Sequence, residues 1–154
     1  MNLNDIEFAQ IADLIHQHAV DEPGRLALIE SGRQITYGEL DTLMDRVASA
    51  LQRDGLTSGD AIAICGASSW AYGAVFLGAL RAGVVVAPLA PSSTPESLAR
   101  MVQDAQAKLL FIDASVEGIL GHIDLPTAQR VTLDDSAGGK ALSDWMAPSG
   151  QKPQ

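Results

Sequence analysis

Residues 61–113 read AIAICGASSWAYGAVFLGALRAGVVVAPLAPSSTPESLARMVQDAQAKLLFID, and the alternation of patterns within them decides the fold. Ala61–Cys65 is a short, continuous apolar run, the signature of a strand buried on both faces. Ser68 or Ser69 then caps an apolar helix from about Trp70 to Leu80. Within it Ala74, Gly78 and Ala82 recur every four residues, a small-residue stripe predicted to sit close against a sheet. Gly83 ends the helix, and Val84–Leu89 is expected as a second buried strand. Thr94 caps another helix, with Pro95 at its first position, where a missing amide is harmless. Leu98, Met101, Val102 and Ala105 form its core face, and Lys108–Asp113 gives a third apolar strand. Strand, helix, strand, helix, strand with short connections predicts parallel strands and right-handed crossovers. The fold class is therefore α/β, a three-layer, largely parallel sheet flanked by helices.

Upstream, Ile6–Ala19 is predicted as an amphipathic helix with Ile11, Leu14, Ile15 and Ala19 inward, broken by Asp21-Glu22-Pro23-Gly24. Leu26–Ile29 and Gln34–Tyr37, joined through Ser31-Gly32, give an N-terminal β-hairpin. Thr36-Tyr37-Gly38-Glu39 is a capping box, in which hydroxyl and carboxylate satisfy each other's free amides. The helix it opens carries Leu40, Leu43, Met44, Val47, Ala48 and Leu51 on one face and stops at Gly55. Downstream, Val116–His122 is expected as a short helix and Arg130–Leu133 as a last strand. From Asp134 the chain is rich in Asp, Ser, Gly and Pro. Residues 1–133 are thus assigned to the folded unit and 134–154 to a linker, with Trp145 and Met146 as its anchors.

The 154 residues suffice for one domain. Ten basic against nineteen acidic side chains leave a net charge of −9, which repels phosphate backbones and disfavours nucleic-acid partners. A single cysteine makes no internal disulfide. The start, MNLNDIEF, lacks the basic, then apolar character of a signal peptide, so a cytoplasmic protein is expected. The apolar segment 70–91 carries only Arg81, but its helical part is too short to span a membrane, which needs about 20 residues.

Local chemistry is sparse. Gly66-Ala67-Ser68-Ser69-Trp70 has the outline of a nucleophile elbow, but Trp70 stands where the sharp turn requires glycine. A serine cap is the simpler reading. Gly138-Gly139-Lys140 has the end of a phosphate loop without its first glycine or its Ser/Thr, and no G-x-G-x-x-G occurs. His16 and His18, two apart on a helix, point in different directions, and with His122 they read as surface residues. Cys65 reads as a small core residue. The pairs Asp21-Glu22 and Asp134-Asp135 fall in turns, where short acids cap amides. No catalytic, cofactor-binding or metal residue is assigned.

Three segments together resemble the start of the adenylate-forming synthetases, the AMP-dependent synthetase and ligase superfamily. These are Ile35-Thr36-Tyr37-Gly38-Glu39-Leu40, Gly59-Asp60-Ala61-Ile62-Ala63-Ile64, and Phe76-Leu77-Gly78-Ala79-Leu80-Arg81-Ala82-Gly83 with Pro88-Leu89. Thr94–Leu98 and Ala107-Lys108 follow where the family has its next helix and strand. The resemblance implies an N-terminal subdomain, truncated or cleaved from a parent several times longer, with the linker leading to the family's phosphate loop. That parent would join a carboxylic acid to the thiol of coenzyme A through an acyl-adenylate, using ATP and Mg²⁺. The loop, its lysine and the later catalytic motifs lie beyond the matching region, so the fragment by itself is expected to be inactive and to bind no cofactor. Its implied partner is the remainder of the synthetase, and apolar surface left bare by that loss is expected to bind dyes or drive homodimerisation. Two alternatives stand beside this reading: a peptide-synthetase adenylation module, and an independent small α/β binding or scaffold domain.

Overall fold

The computed structural model describes residues 10–121, 123, 125 and 128–154. The first helix, α1, spans Ile11–Asp21. Gln10 is extended and its amide donates to Asp13 Oδ2 at 3.2 Å, while the expected first turn over residues 6–9 lies outside the described residues. Its inward face is turned by about one residue, with Ala12 and Ile15 buried and Ile11 52% exposed. The cause is close docking on a neighbouring helix, for the Ala12 carbonyl accepts from Arg81 at 3.3 Å.

Strands β1 (Leu26–Glu30) and β2 (Arg33–Thr36) form the antiparallel hairpin. Ser31 and Gly32 both have positive φ, 38° and 87°, the two-residue turn whose twist matches the strands. Tyr37, read as strand, instead opens α2 (Tyr37–Arg53). The capping box is built as expected: the Glu39 amide donates to Thr36 Oγ1 at 3.3 Å and the Thr36 amide to Glu39 Oε2 at 2.8 Å.

The parallel core follows as β3 (Ala61–Cys65), α3 (Trp70–Arg81), β4 (Val85–Leu89), α4 (Pro95–Asp104), β5 (Leu109–Ile112), α5 (Ala114–Leu120) and β6 (Gln129–Thr132). The strand order is β4-β3-β5-β6-β7, all parallel, where β7 is Lys140–Ala141, and α6 is Leu142–Trp145. Strand alternation builds the two faces. Ile62 and Ile64 of β3 pack with α2, α3 and Trp145, whereas Ala63 and Cys65 pack with α4 and α5. The α1 helix and the hairpin cover a separate cluster around Leu40 and Met44.

Three expectations need correction. The small-residue stripe of α3 meets a helix as well as the sheet. A Cβ on Gly78 would lie 2.6 Å from Val47 Cβ and 3.1 Å from the Met44 carbonyl, so glycine sets the α2–α3 spacing. Strand β4 is an edge strand with Val85 52% exposed, not a buried one. The Val85 amide donates inward to the Asp60 carbonyl, and the pleat then turns position 88 outward, where Pro88 breaks no ladder bond. Finally, the stretch expected to be a linker supplies β7 and α6. Trp145 and Met146 do anchor it, together with Leu142 and Ala147, and all four are core residues. Arg46 Nε donates to the Ala147 carbonyl at 2.7 Å, tying the segment to α2.

Candidate functional site

In an open parallel sheet, ligands enter beyond the carboxyl ends of the strands, where the strand order reverses. Here β3 is followed by β4 on one side while β5 lies on the other, so the switch falls between β3 and β5. The loops leaving these strands meet directly, with the Ala67 amide donating to Asp113 Oδ2 at 2.7 Å. A Cβ at Gly66 would approach that oxygen to 2.9 Å, which explains a glycine at the strand end.

A crevice of about 430 Å³ opens at this point, lined among others by Glu30, Arg33, Ser68, Trp70, Asp113 and Asp135. The hairpin forms one wall. Glu30 Oε2 accepts from the Trp70 amide at 2.8 Å at the start of α3, and the Arg33 guanidinium lies 3.9 Å above the Trp70 ring. Both contacts come from the tight turn, which sets Glu30 opposite Arg33. With strands expected only over Leu26–Ile29 and Gln34–Tyr37, neither this pairing nor its target on α3 was anticipated.

The carboxylates of the crevice hold the backbone. Asp113 accepts from Ala67, Ser115 and Val116, Asp134 from the Ala114 amide at 2.9 Å, and Asp135 from the Ser143 amide at 3.2 Å. Burial pushes the Asp113 carboxyl up, but hydrogen bonds from Ser115, Ala67 and Val116 outweigh it and hold it below the usual range. Four carboxylates, of Glu30, Asp113, Asp134 and Asp135, and one guanidinium, of Arg33, line the crevice. No group of three or more metal-ligating side chains occurs among the described residues.

The other sequence candidates lie apart. Ser69 Oγ accepts from the Tyr72 amide at 3.1 Å and is a helix cap, not an elbow nucleophile. Cys65 is buried at the end of β3, its thiol pushed up to about 11 by burial and the charge of Asp113, which leaves it protonated and unreactive. His16 Nδ1 sits 3.0 Å from Asp41 Oδ2, while the His18 ring packs 4.9 Å from Tyr37. The two histidines thus diverge, and His122 lies outside the described residues. Gly139 supports a chain crossing, since a Cβ there would meet the Arg130 carbonyl at 2.6 Å. Of the acidic turn residues, Glu22 pairs with Arg25 at 2.7 Å and Asp21 accepts from Gln17 at 2.9 Å.

One polar cluster was not anticipated, although Arg81 stands out in the sequence as the only charge of its apolar segment. Arg81 donates to Asp41 Oδ1 at 2.6 Å, to Asp45 Oδ1 at 2.8 Å and to the Asp41 carbonyl at 2.9 Å, besides Ala12. It joins α1, α2 and α3 at one point and has a structural role.

Residues 15–152 match the model of the family described as AMP-binding enzyme. The chain belongs to that family. A fatty acid–[acyl-carrier-protein] ligase, ScoC, of Streptomyces coeruleorubidus is 30% identical over 84% of this chain and 24% of its own length. A 3-hydroxybenzoate–CoA ligase of Aromatoleum sp. (strain CIB) is 29% identical over 85% of this chain and 25% of its own. The chain therefore spans about a quarter of the length of these relatives. A benzoate CoA ligase from Burkholderia xenovorans LB400 superposes with a TM-score of 0.81 at 22% identity, over 94% of this chain and 30% of that one. The AMP-binding family thus shares this parallel sheet, its flanking helices and its hairpin. Within the family match, the three quoted motifs are helix caps, strand entries and a helix end.

Proposed function

We propose that this chain is the N-terminal subdomain of an AMP-forming acid–thiol ligase. The supporting observation is a family match across nearly the whole chain that reaches only a quarter of the relatives' length. In such a parent a carboxylate oxygen attacks the α-phosphorus of Mg-ATP, giving an acyl-adenylate and pyrophosphate. A thiolate then attacks the acyl carbonyl and AMP leaves. Coenzyme A is the favoured thiol, as in the name of the hydroxybenzoate relative. The subdomain includes β7 and α6, and the chain leads towards the phosphate loop only after the core residues Trp145–Ala147.

The chain's own residues hold neither ATP nor Mg²⁺ in this reading. The acidic switch-point crevice, with its carboxylates already bonded to backbone amides, supports placing the nucleotide site outside these residues. The protein works in the cytoplasm, without nucleic-acid partners. No helix among the described residues is long and apolar enough to cross a membrane. A second reading replaces coenzyme A by a carrier-protein thiol, as in a peptide-synthetase adenylation module, and the name of the ScoC relative favours keeping it.

The test is ATP–pyrophosphate exchange with a panel of fatty and aromatic acids. It is run on the natural protein containing this sequence and on the 154-residue chain. Exchange by the former alone is the expected result. Exchange by the 154-residue chain would place catalytic groups within it, and no exchange by either would leave an independent α/β binding or scaffold domain.

A further inference from the structure

Of the six large apolar side chains exposed among the described residues, two stand on the five-residue strand β1: Leu26 at 41% and Ile29 at 70%. Strict alternation would put these two on opposite faces. The register instead shifts between Leu26 and Leu28, and this bulge lets Ala27 and Leu28 both pack inward on the α1–α2 cluster. Leu26 and Ile29 are left facing out together.

The backbone edge of β1 that faces away from β2 has no backbone partner among the described residues. Glu30 and Arg33 flank the two-residue turn and form its hydrogen-bonded pair, so the next pair, Ile29 and Gln34, directs its amides and carbonyls away from the hairpin. No third strand joins this sheet among the described residues. A two-stranded sheet is marginal by itself. This one is held rigid by Glu30 and Arg33 on Trp70, which makes it a fixed template.

We propose that the outer edge of β1 receives an extended segment from the rest of the parent polypeptide, paired at the Ile29 backbone and packing apolar side chains on Leu26 and Ile29. This rests on the reading of the chain as part of a longer synthetase. Relatives about four times its length supply ample chain for the purpose. The exit point is within reach. Gln154 and Gln52 exchange two hydrogen bonds near the end of α2, and the hairpin joins α2 at Tyr37. That distance along the helix is roughly 22 Å, which about seven extended residues cover. A second copy of this chain is the weaker occupant, because the bulge leaves only a short regular edge on each copy.

Amide hydrogen exchange at Ile29, in the natural parent and in the 154-residue chain, tests the proposal. The expected result is exchange slowed by roughly tenfold or more in the parent, and a fast, concentration-independent rate in the 154-residue chain. Equal rates overturn it, as does protection in the shorter chain, including protection that grows with concentration and so marks self-pairing. Ile29→Lys supplies a second readout: it should leave the unfolding midpoint of the 154-residue chain unchanged and lower that of the parent. An unchanged parent also overturns the proposal. Pyrophosphate exchange by the unmodified parent separates the two levels. An active parent with an unprotected Ile29 defeats the strand addition alone, and an inactive parent defeats the functional reading whatever Ile29 shows.

Discussion

The indole Nε1 of Trp145 donates to Asp54 Oδ2 at 2.7 Å, joining α6 to the end of α2 across 91 residues of sequence. The ring is only 1% exposed and meets Phe111 edge-on at 5.0 Å between centroids, so the C-terminal segment is part of the core. Trp145→Ala should lower stability by about 3–5 kcal/mol, the range for emptying a large aromatic site. Asp54→Ala should lose about 1–3 kcal/mol by leaving a buried indole N–H unpaired. Denaturant unfolding followed by circular dichroism checks both. A chain cut after Leu133 should fail to fold cooperatively.

Glycine in a helix interior is normally a weakness, yet Gly78 and Gly118 should respond to substitution in opposite directions. Gly78→Ala should destabilise by about 1–3 kcal/mol, because the new methyl runs into Val47 and the Met44 carbonyl. Gly118→Ala, in α5 with open space around it, should stabilise by about 0.5–1 kcal/mol. Thermal melts of the two variants provide the comparison.

Asp60 controls part of the acid limit. Its carboxyl is held down to about 2, first by the Lys108 ammonium 2.8 Å away and then by the Thr57 amide. A carboxyl with a lower pKa folded than unfolded stabilises the fold above its unfolded value, near 4, and loses that contribution as pH falls through the folded one. Asp113 and Asp134 are shifted in the same direction. Stability should therefore fall between pH 4 and about 2, and Asp60→Asn should flatten that slope while leaving the neutral-pH dependence unchanged. Urea titrations across this range measure it.

Arg81 holds three helices together. Arg81→Met should lower stability by about 1–3 kcal/mol, since it leaves Asp41 and Asp45 facing one another without a cation. The first effect should be faster hydrogen exchange in α1, whose Ala12 carbonyl loses its donor. Adding Asp41→Asn and Asp45→Asn should restore part of the loss, a result that exchange and unfolding measurements can separate.

Local rules made much of this fold readable. Thr36 and Glu39 announce α2, Ser31-Gly32 the hairpin, and the apolar runs around Cys65 and Phe111 the central strands. Relations between elements were less visible. Val84–Leu89 is apolar enough for a central strand, and only Pro88 signals an edge. The spacing of Ala74 and Gly78 reveals a close approach but not that Val47 is the neighbour. Polar turn residues around Asp134 masked the core role of Trp145. At the candidate site, Asp134 and Asp135 read as acids that cap amides in a turn, and they do accept them, whereas Asp113 reads as a strand end and instead caps α5. The closure of the crevice by Glu30 and Arg33 was illegible, because it depends on where a hairpin some 40 residues upstream folds back onto α3.

The central claim is that these 154 residues work as part of a longer ligase. Detecting the natural polypeptide in its native cells with an antibody to this chain tests that most directly. The account predicts a species several times larger than 16.2 kDa. A single native species at 16.2 kDa would contradict it.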